Sequence, residues 1–137
     1  MATTKAIPQD LDTARQDVIF SSLAANTTIP MGALAVNDAG VAKNATDTLI
    51  QGGAKLLGMA AATYENPTGS TLTKRMLFFR STAGTFAGKA GDLPVAADVG
   101  GSVFISDNAT VKKTDAGSDQ AVTLVKIEGS NYRVRLP

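Results

Sequence analysis

Several groups of residues in this chain have types and spacings that invite a chemical reading. Gly84-Thr-Phe-Ala-Gly-Lys-Ala90 has the glycines and the lysine of a phosphate loop, whose backbone N–H groups would cradle an anion. It fails in detail: only three residues separate Gly84 from Gly88, Ala90 stands where a Ser or Thr hydroxyl must reach magnesium, and no helix is expected after it. Asp92, Asp98, Asp107, Asp115 and Asp119 are hard oxygen donors of the kind calcium takes. With no EF-hand spacing and no closing Glu they read as solvated turn carboxylates. Glu65 and Glu128 offer carboxylates for a glycosidase pair, and nothing in their spacing makes them converge. Lys74, Arg75 and Arg80, the pair Lys112-Lys113, and Arg133 with Arg135 form small basic groups. They read as edge and surface protection against aggregation, with contact to an acidic protein surface as the sharper alternative. Asn26-Thr-Thr, Asn44-Ala-Thr and Asn108-Ala-Thr match the glycosylation pattern, which is short enough to arise by chance.

Composition argues in the same direction. The 137 residues include no His and no Cys. That removes the commonest general base, the commonest zinc ligands and the Ser-His and Cys-His nucleophile pairs together. The expectation is a protein that is not an enzyme, holds no metal and needs no cofactor. Thirteen Lys and Arg against twelve Asp and Glu leave a net charge of +1, without the basic excess that nucleic acid rewards. No window approaches the roughly 18 apolar residues of a membrane helix, and no apolar run follows Lys5. Neither nucleic acid nor a membrane is expected as a partner, and the chain is expected to be made in the cytosol.

The elements that would position these residues are strands. Val103 and Ile105 alternate with Ser102 and Ser106, and Tyr132, Val134 and Leu136 alternate with Arg133 and Arg135, a period of two that places apolar groups on one face. Val18-Ile-Phe20, Thr27-Thr-Ile, Leu34-Ala-Val36 and Val41-Ala-Lys43 read the same way, with Asn37-Asp-Ala-Gly40 as a type I turn. Residues 44–53 read as a loop with a short helical turn, residues 55–64 as a buried strand, and Glu65-Asn-Pro-Thr-Gly-Ser70 as a turn cluster. Met76-Leu-Phe-Phe79 shows no alternation, so both faces want cover; a subunit contact or a packed loop would supply it, and Met76, Leu77, Phe78 and Phe79 become the candidate oligomer interface. Residues 81–94, rich in Gly and anchored only by Phe86, read as a long surface loop.

The fold class is therefore all-β, a small β-barrel or β-sandwich at residues 18–137, preceded by an extended N-terminal arm at residues 1–17. Leu11, Ala14 and Val18 also fall at helical spacing, but without a strong cap. Ile7, Leu11, Val18 and Phe20 are the apolar anchors with which such an arm would add to a partner's sheet edge. An internal echo, Gly32-Ala-Leu-Ala-Val-Asn-Asp38 against Gly101-Ser-Val-Phe-Ile-Ser-Asp107, fits two similar hairpin layers of one closed barrel. Apolar content is 44%, but only 5% is aromatic and much of the rest is alanine, so the core is thin and association would help to stabilise it.

Four phrases carry a family resemblance: Ile29-Pro-Met-Gly-Ala-Leu-Ala-Val36, Asp98-Val-Gly-Gly-Ser-Val-Phe-Ile-Ser-Asp-Asn-Ala-Thr-Val111, Ala116-Gly-Ser-Asp-Gln-Ala-Val122, and Gly129-Ser-Asn-Tyr-Arg-Val-Arg-Leu136. Through them the chain, from Ile29 to Leu136, resembles the head decoration or capsid cement proteins of tailed bacteriophages. Thr123 beside Val122 departs from the Gly usual in that strand. The resemblance implies a structural virion protein, frequently a homotrimer, on the outer surface of the assembled capsid, where it binds the major capsid protein and stabilises the shell, many members reaching that protein with an N-terminal arm. Another phage structural component, of tail or baseplate, and a β-barrel carbohydrate-binding module are the alternatives; the absence of Trp argues against the last.

Overall fold

The computed structural model describes residues 17–137. In chain order the strands are β1 (Val18–Leu23), β2 (Thr27–Ile29), β3 (Leu34–Asp38), β4 (Val41–Asn44), β5 (Lys55–Ala60), β6 (Tyr64–Asn66), β7 (Leu72–Phe79), β8 (Ala83–Gly88), β9 (Ser102–Ile105), β10 (Thr110–Lys112), β11 (Ala121–Glu128) and β12 (Asn131–Arg135). A single turn of α-helix, α1 (Asp47–Gln51), stands between β4 and β5. The all-β expectation holds, but the chain builds two barrels where one was expected. The first closes in the order β1-β4-β3-β5-β7 and the second in the order β10-β8-β12-β11-β9, while β2 and β6 pair as a separate ribbon.

The two barrels share one wiring diagram. Exchanging β1, β3, β4, β5 and β7 for β8, β9, β10, β11 and β12 preserves every neighbour and every strand sense, including the single parallel contact, β1 with β4 or β8 with β10. The sequence echo falls on the counterpart strands β3 and β9, so it marks the same strand of two barrels instead of two layers of one.

Several local expectations change for identifiable reasons. Asp38 pairs with Val41, which leaves Ala39-Gly40 as a two-residue hairpin loop. Both residues have positive φ, 51° and 98°, the backbone of a type I′ turn, whose twist matches the flanking strands better than type I does. Residues 83–88, read as loop, form β8: a Cβ at Gly84 would lie 2.9 Å from Met59 Sδ, and one at Gly88 would lie 2.6 Å from the Tyr132 ring. The small residues that look like loop composition are there to admit neighbouring side chains.

The strand β7 does alternate. Met76 and Phe78 are fully buried in the first core, whereas Leu77 and Phe79 lie half-buried on the opposite face. Met76 and Phe78 are thus core residues and are not available to a second subunit. Val18 and Phe20 also leave the arm: they sit in β1 opposite Phe78 and Met76 and pack, half-buried, on the first core. Ile7 and Leu11 lie outside the described residues.

The cores differ in filling. Of the ten buried residues of the first, four are alanine (Ala33, Ala35, Ala42, Ala60), which bears out a thin core there. The second is built from Val, Ile, Leu, Phe and Tyr, and its cluster extends out of its own barrel to Leu34, Val36, Ile50 and Leu56. β3 therefore sends Ala35 into the first core and Leu34 and Val36 into the second. Facing it, the neighbouring residues Leu56 and Leu57 of β5 alternate into different cores, beside a β-bulge where the register with β3 shifts.

Because this seam belongs to both barrels, Leu34→Ala is expected to lower the free energy of unfolding by about 3 kcal/mol. Urea denaturation should still show one transition; two separated transitions would mean that the barrels unfold independently.

Candidate functional site

The seam between the barrels has two contrasting sides. On one, Thr46 caps α1 by accepting a hydrogen bond from Leu49 N–H at 3.1 Å, and this sets Asp47 in the first helical turn. Asp47 Oδ2 lies 2.9 Å from Lys112 Nζ on β10, and Asp119 Oδ2 lies 3.0 Å from the same nitrogen. Asp119 also accepts from Ala116 N–H at 2.6 Å and from Gln51 Nε2 at 3.0 Å. Lys112 is only 3% exposed and the Asp119 side chain is wholly buried. These two residues, read from the sequence as a surface lysine and a turn carboxylate, are internal, and through Asp47 and Gln51 of α1 they clamp the second barrel to the segment between β4 and β5 of the first. Asp98, Asp107 and Asp115 keep their turn roles, accepting from Val95 N–H, Ala109 N–H and Gly117 N–H, whereas Asp92 reaches across to accept from the N–H and hydroxyl of Thr114.

A cleft of about 370 Å³ opens beside the clamp, with Lys55, Arg80, Ser118 and Gln120 around Ile50 and Leu56. The Arg80 guanidinium donates to Leu56 O at 3.1 Å and to Pro137 O at 3.2 Å. The ionic groups of this side are thus largely engaged in holding the fold together. No group of three or more acidic side chains able to hold a metal ion occurs among the described residues.

The other side of the seam is a groove of about 390 Å³ between residues 30–33 of the first barrel and Thr85, Phe86 and Ala87 of the second, with Asn108, Ala109 and Asn131 completing it. None of its lining residues is charged. Its shape is held by main-chain bonds, Leu34 N–H to Asn108 O at 2.8 Å and Gly32 N–H to Ala60 O at 2.8 Å, and by the side-chain bond from Asn108 Nδ2 to Asn44 Oδ1 at 3.0 Å. Met31 stands on the rim, 69% exposed, the most exposed large apolar side chain of the described residues. Residues 30–33, 108–109 and 131 come from three of the four phrases behind the family resemblance. Phrases remote in sequence thus meet in one place.

Two other apolar surfaces stand clear of the groove. Ile19, 54% exposed, pairs with Leu77 across β1 and β7, so their side chains share the outer face of the first barrel. Leu93, Val95 and Val99 are exposed around the short 3-10 turn Ala96–Asp98, and the bonds between residues 100–101 and Leu124 bring Val99 close to the exposed Val125. No family model, curated protein or solved structure matches the chain.

The clamp predicts a pH response. Burial alone would lower the Lys112 pKa, but hydrogen bonds and attraction from Asp47 and Asp119 outweigh it and hold the pKa above the ordinary 10.5. Burial alone would raise that of Asp119, but hydrogen bonds from Ala116 N–H, Lys112 and Gln51, with the charge of Lys112, hold it below the ordinary 3.8. The carboxylate's contribution to stability is complete above pH 3.8 and is lost as pH falls through its lower folded-state value. The ammonium's contribution is complete below pH 10.5 and is lost as pH rises through its higher one. At neutral pH, Lys112→Ala should cost about 3 kcal/mol by stranding two carboxylates against each other. Urea unfolding across the acid range should show a shallower loss for Asp119→Asn than for the wild type; superimposable slopes would exclude Asp119 as a source of acid sensitivity.

Proposed function

We propose that this protein is a capsid decoration protein, which binds the outer surface of an assembled phage head and cements the shell formed by the major capsid protein. The observation that carries this reading is the convergence of three of the four resemblance phrases on the uncharged groove at the barrel seam, with Met31 on its rim. A rigid body of two fused barrels suits the task, since cementing requires a part that does not yield under load. The physical mechanism is linkage. A protein that binds the assembled lattice and not its dissociated subunits stabilises the lattice by mass action, about 2.7 kcal/mol per site at a hundredfold excess over Kd. Association into trimers would multiply weak contacts through avidity.

The surface assigned to self-association is the outer pair Ile19 and Leu77, in place of the buried Met76 and Phe78. Adding the purified protein to expanded heads assembled without it should give saturable binding and a higher temperature of head rupture. Heads that neither bind it nor gain heat resistance would sink the cementing role. In sedimentation, the double variant Ile19→Ser, Leu77→Ser is expected to run as a folded monomer and Phe78→Ser to unfold; a double variant with the wild-type sedimentation coefficient would remove that surface as the subunit contact.

A further inference from the structure

The hydrogen-bond register leaves one strand edge open inside the uncharged groove. β8 and β12 run antiparallel with Gly84 opposite Val134, Thr85 opposite Arg133 and Phe86 opposite Tyr132. Leu136 N–H bonds to Thr82 O, and Ala87 N–H turns away from β12 to bond Ala109 O. In an antiparallel ladder the direction alternates with each residue, so Gly84 and Phe86 bond to β12 while Ala83 and Thr85 point their N–H and C=O groups to the other side. On that side β10 meets β8 only at Ala87 and Gly88. Ala83 and Thr85 therefore present a short run of unpaired donors and acceptors, and Thr85 lines the groove. The counterpart strand repeats the arrangement: β4 meets β1 only at Leu23. Beside β8, however, residues 30–33 supply a second wall, which makes a slot in place of a bare edge.

We infer that this slot binds an extended segment of the capsid shell protein by β-strand addition to β8, an assignment that rests on the decoration role proposed above. Thr85 N–H donates to a carbonyl of the incoming strand and Thr85 C=O accepts from one of its N–H groups, while the alternate side chains lie against Met31, Ala33 and Phe86. The lining itself is uncharged, with Arg133 and Glu128 standing only at its margin beside Thr85 and Asn131, so it favours a segment without charge at the groove-facing positions. The shell is favoured over a second copy as the source because the lining draws on the resemblance phrases, whereas the exposed Ile19 and Leu77 lie on other strands.

The test compares wild type, Thr85→Pro and Met31→Glu in rebinding to heads assembled without the protein. Proline at position 85 removes an N–H that no ladder uses, so β8 should tolerate it. Met31 is mostly exposed, so its replacement leaves the core intact and carries the test if the proline variant misfolds. Each variant is expected to bind about tenfold more weakly with an unchanged circular dichroism spectrum, the size of one lost hydrogen bond or a comparable mismatch. A photo-crosslinking residue at position 31 should join the shell protein. Wild-type rebinding by both variants would overturn the slot and leave the decoration role standing. Crosslinks to a second copy of this chain would overturn the shell as occupant, and failure of the wild type itself to bind heads would overturn both proposals.

Discussion

A strand buried on both faces must satisfy two cores at once, and β3 carries that constraint here. Its Ala35 enters the alanine-rich first core, where a larger side chain would crowd the interior, while Leu34 and Val36 complete the second. Alternation along β5 repeats the division with Leu57 and Leu56. Apolar surface that a small barrel would expose is covered by a neighbour in the same chain, so the seam stabilises both barrels together. Lys112 follows from this arrangement. Closing the seam takes its ammonium out of water, and such a charge is tolerated only with partners, here two carboxylates from segments that the seam brings together.

The same wiring explains where the molecule is incomplete. Parallel neighbours cannot be joined by a tight hairpin, and each barrel closes through one parallel contact that touches only the last residues of its first strand. The remainder of that strand keeps an open edge. Exposed edges invite unwanted pairing, and proteins commonly blunt or cover them. In the second barrel the fused first barrel provides a wall at residues 30–33 beside that edge. The charged cleft and the uncharged groove thus divide the seam, one lined by ionic groups that hold the barrels together and the other by uncharged residues from both barrels.

Much of the fold was legible in the sequence because a barrel strand is largely a local pattern. Alternation in residues 102–106 and 131–136, the turn at residues 37–40, the helical turn within residues 44–53 and the strand beginning at Lys55 all follow from neighbours a few positions apart. The echo of residues 32–38 in residues 101–107 was visible too, but two copies of a strand phrase fit two layers as well as two barrels. Residues 83–88 were hidden by their glycines, whose purpose appears only beside Met59 and Tyr132.

What the chain determined by itself is the all-β class, the positions of most strands and the thinness of its alanine-rich core, because residue period and size act locally. Tertiary structure alone decided which face is inside where a strand is apolar on both. Met76-Leu-Phe-Phe79 announces two apolar faces, yet only the closed barrel makes Met76 and Phe78 core and leaves Leu77 outside beside Ile19. The buried clamp lay equally out of reach, since Lys112 and Asp47 are separated by 65 positions and a charge's cost depends on the water that distant segments exclude. The groove is of the same kind: its walls come from both barrels, and a strand edge is open or closed only once every other strand has found its place.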